Sequence, residues 1–418
     1  MDLINNVEYV LHNLNINEYR ILLHSLHKYT VLLQAGSIIK TETVNDRWLQ
    51  LLCIANEKLT YLTFPICAPD VFRILLSSCL AHNVQDGNTA SIDLSLLPQV
   101  AKEATPSVFS EKEHLKHIYN EEEWAKDNGY NILSTQHIHL KHTISAKTAT
   151  TRCTSEIVEN QVLLSAWLEG GVQSVYADST LTAVSYRELI NRLGKPLNVE
   201  DLQLSEKTLS GIIFLPADVF QFFCLYLITS LNGSLILSGQ SFLKKQDLGK
   251  KVFTSHLSIY DSPQMKYPYA TLDAEGSPLV EKELINHGYF NEALCDVVSA
   301  AELGCSAGNA FYNAQQMSVA VIPSVVKLLF NDVDSFDYDM NRSCDVRHIE
   351  AILPPGVQFN FSTGVISGMF VGRDMISGTK YAYPFHQHIA TFFNSIVGTD
   401  LKERYIDGFI LPGVFLRL

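Results

Sequence analysis

Histidines, carboxylates and thiols are the side chains here whose spacing could support chemistry. His137-x-His139 and His386-x-His388 would each set two imidazoles on one side of a strand, a spacing that some zinc sites use. No neighbouring carboxylate or cysteine completes either set. The chain holds 14 histidines, so chance pairs are expected, and we read both as ordinary surface or hydrogen-bonded histidines. His114-x-x-His117 lies among glutamates on a predicted solvated helix and is read the same way. Ser241-Phe242-Leu243-Lys244 spells S-x-x-K, in which a lysine activates a serine, but that chemistry needs a following S-x-N and K-T-G. Ser230-Leu231-Asn232 precedes it and K-T-G is absent. Cys344 and His348 are four apart and would share a helical turn, a geometry open to a thiol nucleophile, but no third orienting group is evident. Asp273 and Glu275 invite general acid–base chemistry. We favour a turn in which the carboxylates hold backbone N–H groups and Gly276 supplies a positive φ.

The elements that must position these groups can be read from periodicity. Residues 3–14 and 17–27 have helical spacing, while Tyr29–Ala35, Trp48–Ile54 and Lys58–Phe64 read as strands, the last as a hairpin partner. Asp70 is expected to cap a helix with Val71, Ile74, Leu75 and Leu80 on its apolar face. Glu111–Lys126 reads as an exposed helix, and strands return at Ile132–Ala146 and Val162–Ala177, the latter broken at Gly170-Gly171. Gly194-Lys195-Pro196 and the polar stretch after it suggest a domain boundary near residue 200. A strand at Gly211–Leu215 then leads to a buried apolar helix at 218–231. Val252–Tyr260 is strand-like and ends at Asp261-Ser262-Pro263. Gln358–Phe370 and Lys380–Pro384 alternate, and Ile389–Val397 predicts a helix with Ile389, Phe392, Phe393 and Ile396 on one face. The second half should hold a large, twisted antiparallel sheet.

At 418 residues and 47% apolar content the chain has ample material for well-formed cores. Net charge is −13, from 31 basic and 44 acidic residues, and no basic block occurs. Phosphate contacts need a local excess of Lys and Arg, so the charge argues against a general nucleic-acid binder. The first residues show neither a cationic start nor a long apolar run, so no signal peptide is expected. The longest apolar run, Val219–Leu231, is too short to span a bilayer. Eight cysteines at wide, irregular spacings, without C-x-x-C, read as reduced and mostly buried thiols of a cytoplasmic protein.

Five landmarks, in order, carry a family resemblance. They are Ser241–Phe253; the acidic turn Asp273, Glu275, Gly276; the small-residue segment Ser306, Gly308, Asn309; the run Asn360, Thr363, Gly364, Ser367, Gly372; and Phe393–Gly398 followed by Gly413. Together they resemble the C-terminal domain of the TldD/PmbA proteins, also called modulators of DNA gyrase, which are metalloprotease pairs that process peptides. The acidic composition gives no reason to read the gyrase label as DNA contact. The resemblance covers residues 200–418 well and the first half in outline. It implies an α+β chain of two domains: residues 1–200, an N-terminal PmbA/TldD-like α/β domain, and residues 201–418, a β-rich C-terminal domain with a large twisted antiparallel sheet.

The catalytic subunit of that family carries H-E-x-x-x-H on a helix, two histidines for zinc and a glutamate as general base. Here the corresponding stretch is Leu235–Leu243, with Ser238, Gly239 and Gln240 at the expected spot, and Asp400–Leu418 holds no cysteine for the remaining thiolate ligand. The resemblance therefore implies the TldE/PmbA-like branch: no catalytic residue and no metal of its own, zinc in a TldD-like partner subunit of a heterodimer, and a peptide substrate between the two chains. Leader peptides of peptide natural products are one expected substrate. The aromatics Phe359, Phe361, Phe370, Tyr381, Tyr383 and Phe385 would serve a core or an interface. Two alternatives stay open, a stand-alone biosynthetic enzyme repurposed on the same scaffold and a homodimeric peptide-binding protein. Neither nucleic acid nor membrane is an expected partner.

Overall fold

A computed structural model of the chain describes residues 3–55, 58–66, 110–168, 171–179, 203–204, 212–267, 270–313, 318–335, 346–352, 358–374, 380–400 and 402–417, with a few single positions between them. In the first half, helix α1 (Leu3–Asn13) precedes strands β1 (Tyr19–Gln34), β2 (Ser37–Ala55) and β3 (Lys58–Pro65). Helix α2 (Glu111–Asp127), β4 (Asn131–Lys147), β5 (Arg152–Leu168) and β6 (Gly171–Ser179) follow. The six strands form one sheet in the order β3-β2-β1-β4-β5-β6, antiparallel at every step.

Both faces of this sheet are covered. On one, α1 sets Ile4, Val7 and Leu11, one helical stripe, against Ile21, Leu49, Leu51, Cys53 and Phe64. Beside it α2, whose first turn is capped by Ser110 Oγ accepting the Glu113 N–H at 3.3 Å, lays Ile118 on Tyr29, Val31 and Leu33. The opposite face presents Leu22, Leu52, Ile144 and Ala146 to Tyr267, Leu272 and Phe311 of the second half.

Double coverage explains the main error of the sequence reading. Residues 17–27 are not helical; they open β1, where Ile21, Leu22 and Leu26 are buried on alternate faces and so imitate helical spacing. The strands at 29–35 and 48–54 belong to longer ones: β1 begins ten residues earlier, and the exposed arm of β2 at 37–47 is held by pairing to β1 through hydrogen bonds that hydropathy does not register. Asp70, Val71, Leu75 and Leu80 lie outside the described residues. Of the face expected there, only Ile74 is described, and it is 68% exposed; Leu76, which that expected face leaves out, is buried.

The second half begins with β7 (Gln203–Leu204), β8 (Ile212–Leu215), α3 (Ala217–Ser230) and α4 (Gly233–Leu237). After these come β9 (Leu257–Asp261), α5 (Pro263–Lys266), β10 (Lys282–Asn286), β11 (Tyr289–Phe290), α6 (Val297–Leu303), β12 (Ala310–Asn313), β13 (Ser318–Val321) and β14 (Val326–Phe330). The last part contains β15 (Asp334–Ser335), β16 (Val346–Ile352), β17 (Gln358–Asn360), β18 (Val365–Asp374), β19 (Lys380–His388), α7 (Ile389–Asn394), β20 (Ile396–Thr399), β21 (Arg404–Ile406), β22 (Phe409–Leu411) and β23 (Val414–Arg417).

A nine-stranded sheet runs β15-β20-β23-β8-β16-β18-β19-β7 with β17 paired to β18, and a six-stranded sheet runs β11-β10-β9-β14-β22-β21. Both are largely antiparallel; β8–β16, β15–β20, β7–β19 and β14–β22 are the parallel pairs. The apolar helix predicted at 218–231 is α3, and it is the core of this half. Its Phe220, Phe223, Cys224 and Leu227 pack with Phe370, Phe392, Ile259 and Leu328, and the Phe223 and Phe392 rings stack 4.1 Å apart. Phe370, Tyr383 and Phe385 are therefore core residues, while Phe359 and Phe361 stay half-buried.

Regular pairing of the Val252–Tyr260 run starts at Leu257. The expected helix at 389–397 ends at Asn394, and Ile396 opens β20 instead. The expected boundary near residue 200 lies outside the described residues. The fold is two-domain α+β, as expected from the resemblance, with the first half's helices lying on an antiparallel sheet. No helix among the described residues is long and apolar enough to cross a membrane.

Candidate functional site

Asn232 ends the core helix region and starts α4: its Oδ1 accepts the N–H groups of Ser234 (2.9 Å) and Leu235 (3.4 Å). The helix lasts five residues, and Ser238, Gly239 and Gln240 follow on an exposed turn, with Gly239 at φ +72°. Ser241 is buried; its Oγ donates to the Ser230 carbonyl at 2.7 Å and accepts the Leu243 N–H at 3.1 Å. Lys244 Nζ donates to the Ser241 carbonyl oxygen at 2.6 Å. The S-x-x-K residues thus close a loop on their own backbone, and the lysine does not address the hydroxyl as a base would.

Gly364 meets this loop at Phe242, and Asn360 shapes the turn that carries it. Asn360 Oδ1 accepts the Thr363 N–H at 3.2 Å, and its carbonyl accepts the Gly364 N–H at 2.8 Å, closing the turn between β17 and β18. Gly364 has φ +68°, and a Cβ there would stand 2.5 Å from His388 Nε2 and 2.8 Å from Phe242 Cγ. The Phe242 ring meets His388 edge-on at 5.1 Å. His388 Nδ1 accepts the Ala390 N–H at 3.1 Å and so caps α7, while burial holds its pKa below the ordinary imidazole value. His386, two residues back on β19, is exposed.

The other landmarks form a separate, buried network. Asp273 Oδ1 accepts the N–H groups of Glu275 (3.0 Å) and Ser277 (2.8 Å), and its Oδ2 accepts that of Ala310 (3.0 Å). Glu275 Oε2 accepts the Val297 N–H at 2.7 Å, at the start of α6. Gly276 has φ +71°, as a tight turn requires. Asn309 Nδ2 donates to Asp261 Oδ2 (2.6 Å), and its Oδ1 accepts from Lys282 Nζ (2.6 Å). Lys282 also donates to the Ser306 carbonyl at 2.6 Å, and Asp261 Oδ1 accepts the Ser324 N–H and Oγ–H, both at 2.8 Å. Burial raises the Asp273 carboxyl to about 6 and the Glu275 carboxyl to about 8, the latter helped by the charge of Asp273. Burial likewise lowers Lys282 and raises Asp261.

These carboxylates are committed to backbone N–H groups and neutral side chains inside the protein. The turn reading describes Asp273 and Glu275; an acid–base pair facing substrate does not. Sequence reading missed Asp261 and Lys282. Lys282 shares a strand face with buried Leu284, and that polar break in an apolar stripe was its only local signal.

His137 and His139 do share one side of β4. His137 Nε2 is hydrogen-bonded to the Tyr186 hydroxyl (2.8 Å) and His139 Nδ1 to Asn160 Oδ1 (2.8 Å), and burial lowers the His137 pKa to about 3. His114 departs from the solvated reading, because its ring lies 6.1 Å from Tyr29 and 5.9 Å from His137, on the inner side of α2. His348 sits on β16, so it shares no helical turn with Cys344, which lies outside the described residues. Among the described residues, no group of three or more His, Cys, Asp or Glu side chains is placed to hold a metal ion.

The donor set at 233–244 does not suit zinc in any case. It offers hydroxyls, one amide and one ammonium group but neither imidazole nor carboxylate, and the imidazole that packs against Phe242, His388, has one ring nitrogen engaged in capping.

A two-domain α+β molecule with this arrangement of sheets defines a known class. The chain belongs to the PmbA/TldD metallopeptidase family, and its residues 209–416 match the PmbA/TldA metallopeptidase C-terminal domain. The fold is shared with a modulator of a DNA gyrase from Thermotoga maritima, at 15% identity and TM-score 0.73, over 100% of this chain and 99% of that one. A modulator of DNA gyrase from Bacteroides thetaiotaomicron is similar at 14% identity and TM-score 0.70, over 99% and 97%. TldE from Thermococcus kodakarensis is similar at 11% identity and TM-score 0.72, over 100% and 99%. No curated protein matches the chain by sequence.

Proposed function

We propose that this chain is the non-catalytic, TldE-like subunit of a heterodimeric TldD/TldE-type zinc metallopeptidase that processes unfolded or modified peptides, such as leader peptides of peptide natural products. One observation carries the reading. At the stretch that the sequence resemblance matches to the family's zinc motif, this chain folds a five-residue helix and an exposed Ser238-Gly239-Gln240 turn, whose side chains include no imidazole or carboxylate to bind a metal or activate water. The partner then supplies zinc and the general base, and this chain supplies the facing wall. A peptide without fixed structure docks by adding a strand to a sheet edge, where main-chain hydrogen bonds tolerate varied sequence. β11 and β21 end the six-stranded sheet among the described residues and offer such edges.

The test is reconstitution. The purified chain, stripped of metal, is expected to leave unstructured peptides intact and to take up no stoichiometric zinc. Mixed with a family member that contains H-E-x-x-x-H, it should form a one-to-one complex that cleaves them. Cleavage by the isolated chain, or zinc bound by its own side chains, would overturn the proposal.

A further inference from the structure

Trp48 on β2 and Tyr312 on β12 meet across the seam between the two halves, their rings 5.9 Å apart and inclined at 36°. Both are half-buried, so part of each side chain stays open to solvent. Behind them lie His24 and His142, neither of which reaches the surface. The His24 ring stacks flat on Trp48 at 4.6 Å, and His142 lies 5.6 Å from Trp48 and 5.7 Å from Tyr312. His24 Nδ1 is hydrogen-bonded to His142 Nε2 at 2.9 Å, so the two imidazoles hold each other in place. Asp46, two residues before Trp48 and so on the same face of β2, is exposed beside these rings. Its Oδ1 accepts the Arg47 N–H at 2.8 Å, and among the described residues it makes no ion pair. No role in the peptidase reading uses this corner.

We propose that Asp46, Trp48 and Tyr312 form a binding site for a cationic side chain, arginine or lysine, of an unstructured peptide. The inference rests on the peptide-handling reading above and gives it a side-chain preference. Aromatic rings attract a cation placed within about 6 Å of their centroids, and an unpaired carboxylate beside them supplies the counter-charge. The Asp46 charge reaches this corner, since after burial it is what raises the Tyr312 phenol. Burial holds His24 at about 4 and His142 below the ordinary imidazole value. At neutral pH the floor is therefore uncharged and does not repel a cation. The net charge of −13 draws basic peptides toward the chain from further away. A guanidinium suits the corner best, because its plane stacks on a ring while its N–H groups donate to the carboxylate. A neutral side chain of the same shape gains neither the ring attraction nor the ion pair.

The experiment titrates the full chain, alone, with two end-blocked peptides and follows tryptophan fluorescence and heat of binding. One peptide is Gly-Gly-Arg-Gly-Gly; the other carries citrulline, an uncharged isostere, in place of arginine. The arginine peptide should bind, and the citrulline peptide should bind at least about fivefold more weakly. Added salt should weaken the arginine peptide alone. Asp46→Asn, which keeps Oδ1 for the Arg47 N–H, should erase most of the preference, and Trp48→Leu should weaken arginine binding about fivefold. Equal binding of the two peptides, no binding of the arginine peptide, or a full preference retained in Asp46→Asn would each overturn the proposal. If Trp48→Leu fails to fold, the wild type and the exposed Asp46 variant decide the matter. An active complex with an H-E-x-x-x-H partner but no charge preference sinks this inference alone; a charge preference without any active complex sinks only the peptidase reading.

Discussion

The Asp273–Gly276 turn is the place where single residues have the clearest energetic consequence. Glu275 is raised from an ordinary 4.5 to about 8 and Asp273 from 3.8 to about 6, by burial first. A carboxyl raised on folding binds more protons in the native state, so stability falls as pH climbs from the unfolded pKa to the folded one and is flat beyond. The wild type should therefore lose stability from about pH 4 to 8, with Glu275 dominating above pH 6. Glu275→Gln keeps an oxygen for the Val297 N–H and cannot ionise. It is expected to flatten the slope between pH 6 and 8 and to gain stability at pH 8 on the order of 1–2 kcal/mol. Urea unfolding across that range measures it, and an unchanged slope would contradict the assignment. The turn itself was legible, because carboxylates followed by glycine carry local turn chemistry. Lys282 and Asp261 were not, since their partners Asn309, Ser306 and Ser324 come from distant segments.

At the scale of elements, the hairpin β17–β18 is seated on the loop after α4 through one glycine. Gly364→Ala combines a positive φ with contacts of 2.5 Å to His388 and 2.8 Å to Phe242. It should cost about 1–3 kcal/mol and speed amide exchange locally at 238–243 and 389–394. Exchange that rises uniformly over the chain would instead mean a global effect. Elements whose apolar residues fall on one face, such as α1, were read correctly from sequence. β1 was not, because a strand covered by helices on one face and by the second half on the other loses its alternation. The long arm of β2 was missed for the opposite reason, being polar, exposed and held by pairing to β1.

At the scale of the whole molecule, the two halves share a core. Leu22, Leu52, Ile144 and Ala146 lie against Tyr267, Leu272 and Phe311, and Ser155 Oγ donates to the Leu272 carbonyl at 3.2 Å. A fragment of residues 201–418 exposes that apolar surface, so it should bind a hydrophobic dye and aggregate, whereas the full chain unfolds in one transition. A soluble, monomeric fragment that leaves the dye dark would show the halves to be independent. The family's landmark order was visible in sequence; the docking of one half on the other was not, because it depends on pairs such as Arg20 with the Glu275 carbonyl, 255 positions apart. At Gly276 the added carbon of an alanine would come within 2.5 Å of Leu22 Cδ2 and 2.8 Å of Arg20 Cδ. Only a hydrogen atom fits between the acidic turn and the first strand, so a lone methyl there would act as a wedge, prying apart segments that ribosomal synthesis produces far from one another.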